Sequence, residues 1–242
     1  MITISIVNHD HDNQLLRLLY DLINVSNISK IILINNIISS IKIPSELISK
    51  TIVINNKEKK GFAFNHNNAF KYCNTKYFCI INPDIRIHED PFPLLISNFK
   101  DHQVALVAPA VLDENGKIED SARRYPSLFY LFTRKIGYIN DTYNYKLGDD
   151  KLNVDWIAGM FLLLKSESFN RVGKLDDVNF FMYCEDIDLS LRYKKNGMKV
   201  ILDPAVNIIH NAQRKSRKNL RFFLYHSNSM LKFFLKHRFN YK

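Results

Sequence analysis

Thr3-Ile4-Ser5-Ile6-Val7-Asn8-His9-Asp10-His11-Asp12 is a strand running into a polar loop, and Leu15, Leu18, Leu19 and Leu22 follow at helical spacing. β-Branched residues alternate through 3–7, the period of a pleated strand. The pattern recurs along the chain. Residues 31–34 make a second strand that stops at Asn35-Asn36, 51–54 a third that stops at Asn55-Asn56, and 77–81 a fourth that runs into Asn82-Pro83-Asp84. Strands of this kind, separated by helical segments, predict an α/β fold: a mostly parallel central sheet flanked by helices. The polar strand ends then share one edge, at the carboxyl ends where open α/β sheets bind ligands.

Working outward, Lys59-Lys60-Gly61-Phe62-Ala63-Phe64-Asn65-His66-Asn67 is a turn glycine leading into an Asn-rich helix start. Helix N-termini attract anions and the two lysines add to that field, although a capped surface helix reads the same way. Proline ends the fourth strand and holds Asp84 at the sheet edge, where a divalent ion on a diphosphate would need an oxygen ligand. Residues 91–99 read as a helix, 104–108 as a strand and 118–124 as an extended piece; 129–150, aromatic and weakly periodic, is expected to be a mobile loop that orders over substrate. Residues 154–164 hold the only tryptophan, Trp156, then Gly159 and a buried strand; Trp156 serves either as core or on a substrate wall. Short strands at 200–202 and 206–209 follow, the second ending in His210.

Between them lies Phe180-Phe181-Met182-Tyr183-Cys184-Glu185-Asp186-Ile187-Asp188-Leu189-Ser190-Leu191-Arg192. An amphipathic helix carries its first-turn acids at the positive end of the dipole, and Asp188 reaches Arg192 one turn on. Capping alone would explain the acids. The aromatic run before them would also shield a carboxylate from water, as a general base requires.

A chain of 242 residues, 46% hydrophobic, buries a full core. No apolar run is long enough to cross a bilayer, and the first residues lack the basic flank and cleavage site of a signal peptide, so a cytoplasmic location is expected. Cys73, Cys79 and Cys184 form no Cys-x-x-Cys pair and no cluster at zinc spacing; reduced, buried thiols are expected. The net charge of +10 is concentrated at the C-terminal end. After Asp203 there is no acid and nine Lys or Arg, leaving 25 basic residues against 24 acids before it. In the tail, Leu220, Phe223, Met230, Leu231 and Phe234 read as one apolar stripe flanked by Arg217, Lys218, Arg221, Lys232, Lys236 and Arg238. A basic amphipathic helix suits an anionic membrane surface; it suits equally a helix packed on the domain.

In order and spacing, Gly61-Phe62-Ala63 with Asn67, Asn82-Pro83-Asp84, Val154-Asp155-Trp156 with Gly159, Phe181 to Arg192, Pro204 and Ile209-His210 resemble the GT-A glycosyltransferases of family 2, most closely bacterial rhamnosyltransferases that build O-antigen and related cell-surface glycans. The resemblance implies a GT-A, Rossmann-like catalytic domain over 1–212, with about 1–112 binding the nucleotide sugar and about 113–212 carrying acceptor and catalytic residues, and the basic helix over 213–242. It implies that Asn8, His9, Asn35, Gly61, Asn67 and Asp84 face the donor, Trp156 and Gly159 the acceptor, Asp84 and His210 a divalent metal, Mg²⁺ or Mn²⁺, and that Asp186, with Glu185 beside it, is the catalytic base. The implied reaction is inverting transfer of L-rhamnose from dTDP-rhamnose to a lipid-linked saccharide at the inner face of the cell membrane. Many relatives have aspartate where this chain has Asn35, so an amide replaces the carboxylate that meets the pyrimidine, which leaves a UDP-sugar donor as the alternative. Two rival readings stay open from sequence: nucleic-acid binding through the cluster from Arg214 to Arg221, and a catalytically silent assembly partner. The first leaves the strand-end residues and the Glu-Asp pair unexplained, and retention of Asp84, Asp186 and His210 opposes the second; no specific nucleic-acid partner is expected.

Overall fold

The computed structural model describes residues 1–126, 141–211 and 220–237, with the side chains of 220–223 outside that description. Four parallel strands open the fold: β1 (Ile2–Asn8), β2 (Ile28–Asn35), β3 (Thr51–Asn55) and β4 (Tyr77–Ile81). They stand in the order β3-β2-β1-β4, so the chain adds two strands on one side of β1 and then crosses to the other. That reversal is the switch point at which doubly wound sheets bind ligands. Beyond β4 come β10 (Phe161–Lys165), antiparallel to it, then β6 (Val104–Leu112), β11 (Lys199–His210), parallel to β6, and the short edge strand β5 (Ile85–Arg86); β8 (Leu152–Asn153) pairs with β11.

Both faces of the sheet are covered. Alternate residues of each strand point to opposite faces. Ile2, Ile4 and Ile6 therefore pack with Leu15, Leu18, Leu19 and Leu22 of α1 (Asp12–Ile23), while Phe78, Ile80, Leu162 and Leu164 pack on the other side with Ala63 and Ala69 of α3 (Phe62–Phe70). The four-residue α2 (Ser45–Ile48), α4 (Phe92–Ser97) and α5 (Ser166–Arg171) complete the frame. Two further helices, α6 (Glu185–Lys195) and α7 (Leu220–His237), build a third cluster: Phe180, Cys184, Ile187 and Leu191 against Met230, Phe233 and Phe234.

Three local expectations change. The stretch 154–164, read as Trp156, then Gly159 and a buried strand, holds two strands, β9 (Trp156–Ile157), which pairs with β7 (Ala122–Arg123), and β10, with Gly159 in the turn between them. The two strands read around Pro204 are one strand, β11, with an irregularity between Asp203 and Asn207, where proline withholds its ladder hydrogen bond without ending the strand. The apolar stripe of the tail is rotated: Met230 and Phe234 face the domain together with Phe233, whereas Leu231 is 57% exposed. Of the expected mobile loop over 129–150, residues 129–140 lie outside the described residues. The part that follows is tied down, by Arg124 N–H to Asp141 O, Tyr143 N–H to Ala122 O and Gly148 N–H to Pro204 O. All three cysteines are free.

Candidate active site

The carboxyl ends of β1, β2 and β3 carry a ladder of amides. Asn8 Nδ2 donates to Asp12 Oδ1 at 2.6 Å and to Asn35 Oδ1 at 3.3 Å, and Asn35 Nδ2 donates to Asn55 Oδ1 at 2.8 Å. Asn36, one residue on, is held by Asn56 Nδ2 at 2.9 Å and Lys60 N–H at 2.8 Å, and its own amide meets His9 Nδ1 at 3.3 Å. Asn8 and Asn35 are buried, so the ladder fixes this edge before any ligand arrives. Burial lowers the pKa of His9, and the charge of Lys59 lowers it further, which keeps a neutral imidazole at the strand end.

Two of the expected donor residues have other tasks. A Cβ on Gly61 would lie 2.2 Å from the carbonyl oxygen of Phe181, and Phe62 N–H donates to that same oxygen at 3.0 Å. The first amide of α3 is thus committed to the loop before Asp186, and Gly61 is glycine because two backbones meet there. Asn67 spends both ends of its amide on the backbone of Leu175, donating to its carbonyl at 2.7 Å and accepting its N–H at 3.1 Å, which accounts for this side chain without a ligand. Trp156, 7% exposed, donates from Nε1 to Arg124 O at 2.9 Å, and Arg123 lies over its ring at 5.4 Å.

Asp84 and His210 come together as expected, although 126 positions separate them in the sequence. His210 Nε2 lies 3.4 Å from Asp84 Oδ2, and β5 brings the two residues into register by pairing with the end of β11. The other ring nitrogen, Nδ1, meets Glu119 Oε2 at 2.7 Å. Burial alone would lower the His210 pKa, but Asp84 and Glu119 outweigh it and raise it. Asp84 Oδ1 is buried and has no hydrogen-bond partner among the described residues. An orphaned carboxylate oxygen beside an imidazole held from behind by a second carboxylate fits a divalent ion that takes its remaining ligands from a diphosphate and water. Among the described residues no group of three or more His, Cys, Asp or Glu side chains is arranged to hold a metal ion.

Asp186, half-buried at the start of α6, accepts Gly159 N–H at 3.0 Å and Ile187 N–H at 2.8 Å. Burial raises its pKa; the N–H donors of Ile187 and Gly159 and the charge of Arg123 oppose that rise without cancelling it. Glu185 is more deeply buried, its Oε2 lacks a partner among the described residues, and burial first, then the charge of Asp186, raise its pKa. Burial thus raises the pKa of both adjacent carboxyls, and the backbone donors of Gly159 and Ile187 favour the charged form of Asp186. Gly159 and Met160 bridge this carboxylate to the Asn82-Pro83-Asp84 turn, since Gly159 N–H binds Asp186 while Met160 O accepts Asn82 N–H at 2.9 Å. A Cβ on Gly159 would lie 3.2 Å from the Phe62 ring, so a larger residue there would require that ring to give by a few tenths of an ångström.

Glu119 and Arg123 were not legible as site residues. Glu119 lies in a polar stretch, Lys117-Ile118-Glu119-Asp120, that reads as surface, and only the fold carries it 91 positions to His210.

The sheet order, the strand-end polar edge and the acidic helix start together define a GT-A glycosyltransferase. Residues 3–166 match the family model "Glycosyl transferase family 2", and the chain belongs to that family. It is 29% identical to rhamnosyltransferase WbbL of Escherichia coli (strain K12), over 98% of this chain and 94% of that protein. It is 26% identical to the N-acetylglucosaminyl-diphospho-decaprenol L-rhamnosyltransferase of Mycobacterium tuberculosis, over 54% of this chain and 46% of that one. Among solved structures, GalNAc-T7 with UDP, GalNAc and Mn²⁺ superposes with a TM-score of 0.69 at 14% identity, over 89% of this chain and 44% of that one, a likeness of fold alone. The protein is a rhamnosyltransferase-like glycosyltransferase.

Proposed function

We propose that this enzyme transfers L-rhamnose from dTDP-rhamnose, with inversion, to a hydroxyl of a lipid-linked glycan in cell-surface polysaccharide synthesis. The observation that carries the reading is the Gly159-Met160 bridge, which joins a desolvated carboxylate to the Asn82-Pro83-Asp84 turn. Similarity to WbbL along 98% of the chain supports rhamnose as the sugar.

Asp84 and His210 would hold Mg²⁺ or Mn²⁺, which when bound supplies positive charge to the departing diphosphate. Asn8, His9 and Asn35 form the floor under the nucleoside. Asp186 takes the proton of the acceptor hydroxyl as its oxygen attacks the anomeric carbon from the face opposite the leaving group. The sugar–oxygen bond to the diphosphate breaks as the new glycosidic bond forms, with no covalent enzyme intermediate. The run from Phe180 to Tyr183 that leads into the helix of Asp186 would limit the access of water, and so hydrolysis of the donor. Gly159 N–H and Ile187 N–H orient the base, and Arg123 favours its ionised form.

The test is transfer from dTDP-rhamnose to a lipid-linked acceptor, with the product anomer read by NMR. Wild type should give the inverted anomer. Asp186→Asn should bind donor normally and lose about 10² to 10⁴ in turnover. Near-normal turnover by the variant, or retention of configuration, would sink the proposal.

The acceptor's lipid suggests a place for the enzyme at the inner face of the cell membrane. No helix among the described residues is long and apolar enough to cross a bilayer. The outer face of α7 nevertheless carries Leu224, Leu231 and Leu235, each more than half exposed, in a C-terminal segment with nine cationic residues and no acid. That face suits an anionic lipid surface without withdrawing Phe233 and Phe234 from the domain.

A further inference from the structure

We infer that α7 is a working part of the active site, with Ser229, Lys236 and His237 as positioning residues for the loop that presents Asp186. The inference rests on Asp186 being the base. Tyr183 and Cys184, the two residues before Glu185, both adopt left-handed backbone, with φ of 72° and 69°. Neither is glycine, and Cys184 starts α6 without a side-chain cap, so local preference does not hold this turn. Something else must, and α7 makes the contacts.

Ser229 Oγ donates to Met182 O at 2.7 Å, one residue before the left-handed pair. Lys232 Nζ donates to Asn179 O at 3.0 Å, and Lys236 Nζ reaches Asp176 Oδ2 at 2.7 Å. Beyond the turn, the fully buried Asp188 receives Lys236 Nζ at 2.5 Å and His237 Nε2 at 2.8 Å on one oxygen, and Arg192 Nε at 2.8 Å on the other. Lys195 Nζ lies 3.3 Å from His237 Nδ1, which assigns the Nε2–H form to the ring facing Asp188. Rings add to the grip: Phe181 lies 5.5 Å from Tyr225, and Tyr183 lies 5.4 Å from His226. The last turns of α7 thus hold the loop on both sides of Asp186, at Met182 and at Asp188. A helix that merely covered apolar surface would need Met230, Phe233 and Phe234, not these directed polar contacts to one loop. The nucleotide edge at Asn8, Asn35 and Asp84 receives none of them, so the helix should govern turnover rather than donor affinity.

Ser229→Ala, Lys236→Met and Lys236→Arg are compared with wild type in the full chain, by three readouts: turnover, calorimetric affinity for dTDP with Mn²⁺, and hydrogen exchange of backbone amides. Ser229→Ala and Lys236→Met should lower kcat by about tenfold to a hundredfold with dTDP affinity held within about twofold. Their amides at 182–188 should exchange faster while β1 to β4 stay protected, and Lys236→Arg should recover both kcat and protection. Loss of dTDP affinity and of sheet protection together with kcat would mean that the contacts only stabilise the fold, and would overturn the inference. So would unchanged kcat with unchanged exchange at 182–188. If wild type transfers no sugar, the base assignment fails, and exchange at 182–188 still decides whether α7 holds the loop.

Discussion

Asp186 and Glu185 are neighbours in sequence with different surroundings. Asp186 has two backbone donors, and Glu185 has an oxygen without a partner among the described residues. Burial raises the Glu185 pKa above its unfolded value, so between the ordinary carboxylate range and the raised value the folded protein binds the extra proton. Stability from this group is complete below the unfolded pKa and is lost as pH rises through the folded one. Glu185→Gln should therefore flatten the fall in Tm between about pH 5 and pH 8, relative to wild type. Equal falls in both proteins would show that Glu185 ionises without cost. Asp188 has the opposite sign: burial alone would raise its pKa, but His237, Arg192 and Lys236 lower it overall, so its contribution is lost in acid instead.

Elements meet at this site through backbone, which makes small residues decisive. Gly61 at the head of α3 touches the Phe181 carbonyl that its neighbour Phe62 also binds. Gly61→Ala would force these backbones apart; the expected cost is about 1–3 kcal/mol in unfolding free energy, with reduced turnover if the displaced loop carries the base, as proposed for Asp186. Chemical denaturation and transfer rates measure both, and a variant with wild-type values in each would remove the close approach from the account. The periodic elements were legible in the sequence because a half-buried strand or helix writes its period into the chain: β1 to β4 and α1 fall where alternation and leucine spacing put them. The bend of β11 through Pro204 and the short strand β9 before Gly159 were not legible. Both depend on long-range pairing, with β6 and with β7, that overrides the local signals of proline and glycine. The tail's helix was legible and its orientation was not, because leucines on one side of it and Met230, Phe233 and Phe234 on the other offer two apolar faces.

At the scale of the molecule, the sheet gathers on one edge residues that lie far apart in the chain. The residue types at Asn8, Asp84, Asp186 and His210, and the pairing of Asp84 with His210, were expected from the sequence; the brace from Glu119 and the Gly159-Met160 bridge depend on topology. The outer stripe of α7 belongs to this scale too. A Leu224→Ser, Leu231→Ser, Leu235→Ser variant should bind anionic phospholipid vesicles about tenfold more weakly than wild type while still folding, as read by vesicle sedimentation. Equal sedimentation would remove the membrane from the proposal. The central claim is that this edge holds a nucleoside diphosphate through a metal at Asp84 and His210. Calorimetric titration of wild type and Asp84→Ala with dTDP, UDP and GDP, each with and without Mn²⁺, tests it most directly. The account predicts tightest binding of dTDP, dependent on Mn²⁺ in wild type and largely lost in Asp84→Ala. Binding that ignores Mn²⁺, or that survives the loss of Asp84 unchanged, would contradict it.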